Sequence, residues 1–164
     1  MRRYSLALIG LLAIPLAGCG GGGGSTVTNP IGSIPSNTGF PVNNSAPVIT
    51  TSDGLQYQDE TVGTGNTVAT GKAVTISYTG FLTNGTIFDS NVDPSFGHTQ
   101  PLGFTVGAGQ VIQGLDEGVV GMKVGGVRLL KIPANLAYGA NPPSGSKIPA
   151  NATLFFFVEM ASSN

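Results

Sequence analysis

The chain has 164 residues, of which only 9% are charged, against about 25% in ordinary soluble domains. Seven basic and eight acidic side chains leave a net charge of −1. No basic cluster is present, which argues against a nucleic-acid surface. A single His and a single Cys exclude a His/Cys metal cage and a disulfide framework within one chain, so neither metal nor cofactor is expected.

Residues 1–18 read as a leader. Arg2 and Arg3 precede an apolar run from Leu6 to Leu16, which ends in Leu16-Ala17-Gly18-Cys19. A run of about ten residues is too short to span a bilayer of ~30 Å as a helix, and its layout is that of a secretory signal. The stretch resembles a bacterial lipobox, which implies acylation of Cys19 and a protein lipid-anchored in a bacterial cell envelope, facing the periplasm or the cell surface. Loss of the leader would leave five basic and eight acidic groups, a charge of −3.

Residues 19–52 follow, uncharged and rich in Gly, Ser, Thr, Asn and Pro. Such a segment buries too little apolar surface to offset its ordering entropy, so a disordered tether is expected. As a flexible coil it would reach roughly 30 Å. Ile31, Ile34 and Phe40 are isolated apolar residues with no assigned site.

The pattern changes from residue 53, where a folded domain to residue 164 is expected. Val74, Ile76 and Tyr78 alternate with Thr75, Ser77 and Thr79, a strand signature. Asn84-Gly85 marks a hairpin turn, with a second strand over Thr86–Asp89 and a third over Leu102–Val106. Val111, Ile112, Leu115 and Val119 have helical spacing, with Asp116 and Glu117 expected toward solvent. Val127–Ile132 and Ala152–Met160 complete the set, and Leu154, Phe156, Val158 and Met160 share one face of the last strand. The reading is an α+β domain of five to six antiparallel strands around one short helix. Gly107-Ala108-Gly109 lacks the third glycine of a dinucleotide-binding fingerprint.

Four blocks in register are similar to the FKBP class of peptidyl-prolyl cis–trans isomerases, the macrolide-binding immunophilins. They are ISYTGFLTNGTIFDS, VIQGLDEGVVGMKVGG, IPANLAYGA and IPANATLFFFVEM. The resemblance implies a twisted antiparallel half-barrel wrapped around a short helix. It also implies a pocket: Phe88, Val111, Ile112 and Phe156 as walls around a proline ring, Leu115 as the floor, and Leu102 and Ile148 beside them. The Ile112 N–H and the Tyr138 hydroxyl would bond substrate carbonyls. Tyr78 and Asp89 would stand at the side, where the Asp89 carboxylate would polarise a twisted amide.

Such chemistry suits a chain poor in titratable groups. Rotation about an Xaa-Pro bond breaks no bond and moves no proton; the obstacle is amide resonance, about 18–20 kcal/mol for an ordinary peptide bond. A dry apolar pocket disfavours the polar planar amide relative to the twisted transition state. Proline-containing unfolded or nascent exported proteins are the implied partners, macrolides are implied ligands, and a monomer is the default. Leu115 stands where compact family members usually carry Trp, and Leu102 replaces another aromatic, which bears on macrolide affinity. A second reading keeps the fold as a non-catalytic tethered chaperone or peptide-binding module. His98, in the loop Asn91–Gln100, reads as a solvated loop residue.

Overall fold

A computed structural model describes residues 26–29, 32–35 and 42–164. The leader and Cys19 lie outside these residues. Nine strands and one α-helix occur among them: β1 (Thr26–Asn29), β2 (Gly32–Pro35), β3 (Val48–Thr50), β4 (Gln56–Thr61), β5 (Ala73–Leu82), β6 (Ile87–Ser90), β7 (Leu102–Thr105), α1 (Gln113–Gly118), β8 (Val127–Ile132) and β9 (Leu154–Ser163). No described helix is long and apolar enough to cross a membrane.

The main sheet is antiparallel and runs β3-β4-β8-β9-β5-β6, with β7 also paired to β5. One end of β5 pairs β7 and the other pairs β6, so a single ten-residue strand carries both flanks of the site. The β5–β6 hairpin turns at Asn84-Gly85, as its sequence signals, with the Thr86 N–H donating to Asn84 Oδ1 at 3.0 Å. The sheet has seven strands because β3 and β4, which lack a strong period, add to the five read from sequence.

Period-two strands give the sheet two apolar faces. Val74, Ile76 and Tyr78 of β5, Leu130 and Ile132 of β8, and Leu154, Phe156, Val158 and Met160 of β9 pack with Leu115 and Val119 in the main core. Phe81, Val127, Leu129, Phe155 and Phe157 form a second cluster from the alternate positions. The rings of Phe81 and Phe155 stack there, with centroids 5.3 Å apart.

The second cluster corrects the expectation of a disordered tether to residue 52. β1 and β2 form a hairpin, Ile34 is fully buried among the phenylalanines, Val42 and Val48 pack beside it, and β3 joins the main sheet. The physical reason lies in β9: Phe155 and Phe157 point away from the main core, and the preceding segment covers their apolar surface.

Polar contacts hold the same segment. Gln58 Nε2 donates to the carbonyls of Asn43 and Ala46 at 2.8 and 2.7 Å, and the Asn43 N–H donates to Glu60 Oε2. Glu60 is 6% exposed and its other oxygen has no partner. Burial pushes its carboxyl above the usual carboxylate range, the Asn43 N–H opposes that shift, and Asp59 adds to it. A raised folded-state pKa means the folded protein binds the proton more tightly than the unfolded chain does. Stability from this group is therefore full below the ordinary carboxylate range and is lost as pH rises through the raised value. Glu60→Gln should accordingly unfold at a higher temperature than the parent at pH 7, with the difference vanishing near pH 4. Melting curves at pH 4, 5.5 and 7 check this; a constant difference across them would contradict it.

Candidate active site

The site lies where α1 meets the inner sheet face. Val111 and Ile112 have helical spacing in the sequence, but they precede the helix, which begins at Gln113 with Ile112 as its N-cap. Their half-buried side chains are thereby free to form a wall, and the Ile112 N–H stands ahead of the helical hydrogen-bond ladder. Asp116 differs from expectation: it is buried, and its carboxylate accepts from the N–H groups of Gly107 and Gly109 at 2.7 and 3.3 Å. These turn N–H groups lack strand partners, and the carboxylate fastens the turn after β7 to the helix.

A cavity of about 230 Å³ opens between these elements. Tyr78, Phe88, Asp89, Leu102, Val111, Ile112, Leu115, Tyr138 and Phe156 line it, so it gathers nine of the ten residues singled out from sequence. Ile148 is buried in the adjoining main core but is not among the lining residues. Gln110 is the addition. Its Oε1 accepts from the Thr105 N–H at 2.7 Å, bridging β7 to the cavity rim, and no periodic signal distinguishes it in the sequence.

The apolar wall is aromatic. Phe88 meets Phe156 edge to face, with centroids 5.5 Å apart and planes at 79°, and Tyr78 tilts against Phe156 at 6.0 Å. The polar side is ordered around Asp89. Tyr78 donates its hydroxyl to Asp89 Oδ2 at 2.6 Å, and His98 Nε2 lies 2.8 Å from Oδ1. Burial, followed by the hydrogen bond and charge of Asp89, holds the Tyr78 hydroxyl far above the usual phenol range. Burial first and Asp89 second also raise Tyr138. Both phenols therefore remain hydrogen-bond donors at neutral pH.

This set offers an apolar grip, the Tyr138 hydroxyl, and a carboxylate held by the Tyr78 hydroxyl. Asp89 is the only charged residue on the lining. Among the described residues no group of three or more His, Cys, Asp and Glu could hold a metal. The lining contains no Ser, Thr, Cys or Lys, the usual nucleophiles of group transfer.

Gly80 is a further residue the sequence reading passed over. It lies on β5 opposite Asp89, and a Cβ built there would stand 2.6 Å from Phe88 Cζ and 3.0 Å from Phe156 Cε1. A glycine inside a strand often marks such a close approach, and here the absent side chain makes room for both rings.

Comparisons with known proteins agree with this geometry. A family model described as FKBP-type peptidyl-prolyl cis-trans isomerase matches residues 65–161. The FK506-binding protein of Neisseria meningitidis serogroup B is 50% identical over 107 residues, covering 65% of this chain and 94% of that protein. FK506-binding protein 4 of Dictyostelium discoideum is 50% identical over 117 residues, but the chain spans only 30% of that longer relative. The crystal structure of AtFKBP13 superposes with a TM-score of 0.63 at 33% identity, over 72% of this chain and 99% of that one. FkpA from Escherichia coli gives 0.61 at 37% identity, over 71% of this chain and 51% of that one.

Gly80→Ala should displace the Phe88 ring toward the cavity, since overpacking of this kind typically costs about 1–3 kcal/mol. The expected result is a folded protein of lower stability whose kcat/KM on an Xaa-Pro peptide falls roughly tenfold, about 1.4 kcal/mol of barrier. A coupled isomerase assay with a parallel denaturation curve measures both; undiminished kcat/KM would show that Gly80 does not shape the wall.

Proposed function

The chain belongs to the FKBP-type peptidyl-prolyl cis-trans isomerase family and is an isomerase of Xaa-Pro bonds; we propose that it works as an envelope-tethered folding catalyst for exported proteins. The observation that carries the mechanistic part is the cavity itself: aromatic and aliphatic walls around one carboxylate held by a buried phenol.

In this reading the proline ring enters between Phe88, Val111, Ile112 and Phe156, over Leu115. The planar amide loses water on entry and the twisted amide, being less polar, loses less, so the barrier falls. The Ile112 N–H and the Tyr138 hydroxyl receive the carbonyls on either side and hold the twist. Asp89 faces the amide whose carbonyl carbon becomes more electron-poor as resonance is lost. Each tenfold in rate needs only about 1.4 kcal/mol, a scale that a few such contacts supply together. A macrolide would enter the same cavity, with Leu115 and Leu102 offering it less aromatic surface than Trp and another aromatic would.

The cellular part rests on sequence. Leu16-Ala17-Gly18-Cys19 after a short apolar run supports export and acylation of Cys19, and proline-containing unfolded or nascent exported chains are then the clients within reach. A monomer suits that role.

Variants of the site and of the anchor test the reading. Phe156→Ala should destabilise the domain by about 3–5 kcal/mol, as deletion of a core ring does, and depress activity with it. Tyr138→Phe should lower kcat/KM by about tenfold or less with little change in stability, one hydroxyl being worth roughly 0.5–1.5 kcal/mol. Full activity in Tyr138→Phe would remove the hydroxyl from the mechanism, and a parent protein that binds unfolded chains without speeding proline-limited refolding would be a holding module instead. For the anchor, Cys19→Ser expressed in a bacterial host should leave the membrane fraction or accumulate unprocessed. Wild-type fractionation and processing would refute acylation.

A further inference from the structure

The loop between β6 and β7 is built to a definite shape. Asn91, at its start, is 5% exposed, and its Oδ1 accepts from the Tyr78 N–H at 2.7 Å. Its Nδ2 donates to the carbonyls of Ile76 and Gln100 at 3.1 and 3.2 Å, so one amide fastens both ends of the loop to β5. Ser90 Oγ accepts from the N–H groups of Val92 and Asp93, both at 3.1 Å. Asp93 then caps the single 3-10 turn Pro94–Phe96 through the Ser95 N–H at 2.9 Å. Closing the loop at Gln100 returns His98, two residues earlier, to the side of β6.

There His98 Nε2 meets Asp89 Oδ1 at 2.8 Å, while Tyr78 occupies Oδ2 from the cavity side. The carboxylate is gripped at both oxygens, one by the pocket wall and one by the loop. Two carboxylate oxygens held by partners on different elements cannot rotate freely, so the position of the charge depends on both.

The groups facing Asp89 come from three elements: Tyr78 on β5, Tyr138 beyond the 3-10 turn Ala134–Leu136, and His98 on the loop. Both phenols stay protonated through neutral pH, for the reasons given above. Lys147, on the neighbouring loop, lies with Nζ 5.8 Å from the centroid of the Phe96 ring. Imidazoles change charge between pH 5 and 8. Among the described residues, His98 is therefore the partner of Asp89 suited to report pH.

We propose that His98 is a positioning residue of the isomerase: it fixes the second oxygen of Asp89, and its proton sets how much of the Asp89 charge reaches the bound Xaa-Pro amide. This inference rests on the role given to Asp89 in the proposed mechanism. Neutral His98 donates one hydrogen bond and leaves the carboxylate its full charge. The imidazolium donates the same bond and offsets that charge, so the twisted amide is stabilised less. Activity accordingly declines toward acid with no proton passing to or from the substrate. The His98 and Asp89 side chains are 47% and 39% exposed, so solvent and salt screen the effect and it is modest.

The test is kcat/KM from pH 5.5 to 8.0 for the full chain on a blocked Xaa-Pro peptide without titratable groups, at low and high salt. The parent should lose about two- to fivefold at the acid end, and less at high salt, in line with a partly exposed pair. His98→Gln keeps an N–H donor but cannot titrate, and should give a flat profile. His98→Ala should also be flat, with lower activity than His98→Gln at pH 8.0, because the carboxylate has lost a partner. A flat parent profile, or a step retained in His98→Gln, overturns the proposal. Asp89→Asn separates the two levels of argument. Wild-type activity in that variant would remove Asp89 from the mechanism and the proposal with it. Reduced activity beside a step that persists in His98→Gln would leave Asp89 in place and refute His98 alone.

Discussion

The structure depends on one fit, that of a six-residue helix in the curve of the sheet. A helix so short cannot hold itself together in water, because nucleation outweighs the few bonds it gains. Tertiary contact must supply its stability, and the contact is close. A Cβ on Gly114 would stand 2.3 Å from Ile132 Cγ2, so the helix backbone lies directly on β8 at this point. The other end is held by Arg128 on the same strand, which donates from Nη1 to the Gly118 and Val120 carbonyls at 2.9 and 3.0 Å. Its guanidinium is fastened by Asp59, through Nε at 2.7 Å and Nη2 at 3.1 Å, and it lies 4.2 Å from the Tyr57 ring centroid. A cation at a helix C-terminus also answers the unpaired carbonyls and the dipole there.

The site follows from that fit. With the helix axis fixed on β8, the residues immediately before it, Val111 and Ile112, must turn outward across β5 and β6, and Leu115 must point down between them. Asp116 adds a further tie through Gly107 and Gly109. The cavity is thus a gap left in the core, and its walls are core residues: Tyr78, Leu115 and Phe156 belong to the same buried cluster as Leu130 and Ile132. Stability and catalysis therefore share side chains, and changes to the deep wall will move both together. Changes at the half-exposed rim, where Asp89, Tyr138 and His98 sit, can act on rate alone.

The inner face was legible in the sequence because alternation and turn chemistry agree there. Val74-Ile76-Tyr78, Asn84-Gly85 and Leu154-Phe156-Val158-Met160 each name a strand, a turn or a face without tertiary knowledge. What escaped was everything that needs two distant segments at once. Ile34 stands in a stretch with no period, so nothing local marks it as core. The matching signal lay far away, in Phe155 and Phe157, whose side chains occupy the face of β9 opposite the one already assigned and need cover of their own. His98 is solvated, as the polar loop suggests, and what stayed hidden is its contact with Asp89, which needs Asn91 to close that loop on Gln100. Gly80 could have been found, since a glycine two residues beyond Tyr78 and within its alternation leaves a vacancy that an aromatic neighbour must fill.

A site built in this way uses electrostatics differently from one that transfers protons. An acid–base enzyme needs a group poised to gain and lose a proton during each turnover, and its pH profile reports that step. Here the reacting amide keeps all its atoms, and the phenols and the carboxylate at the cavity exchange no proton with it. The relevant quantity is the field at the amide averaged over the carboxylate's positions, and a carboxylate held at both oxygens averages over fewer of them. Restraint of Asp89 by Tyr78 on one side and His98 on the other thus does for charge what the Phe88–Phe156 wall does for shape: each removes alternatives before the substrate arrives, so that less ordering remains to be done as the bond twists.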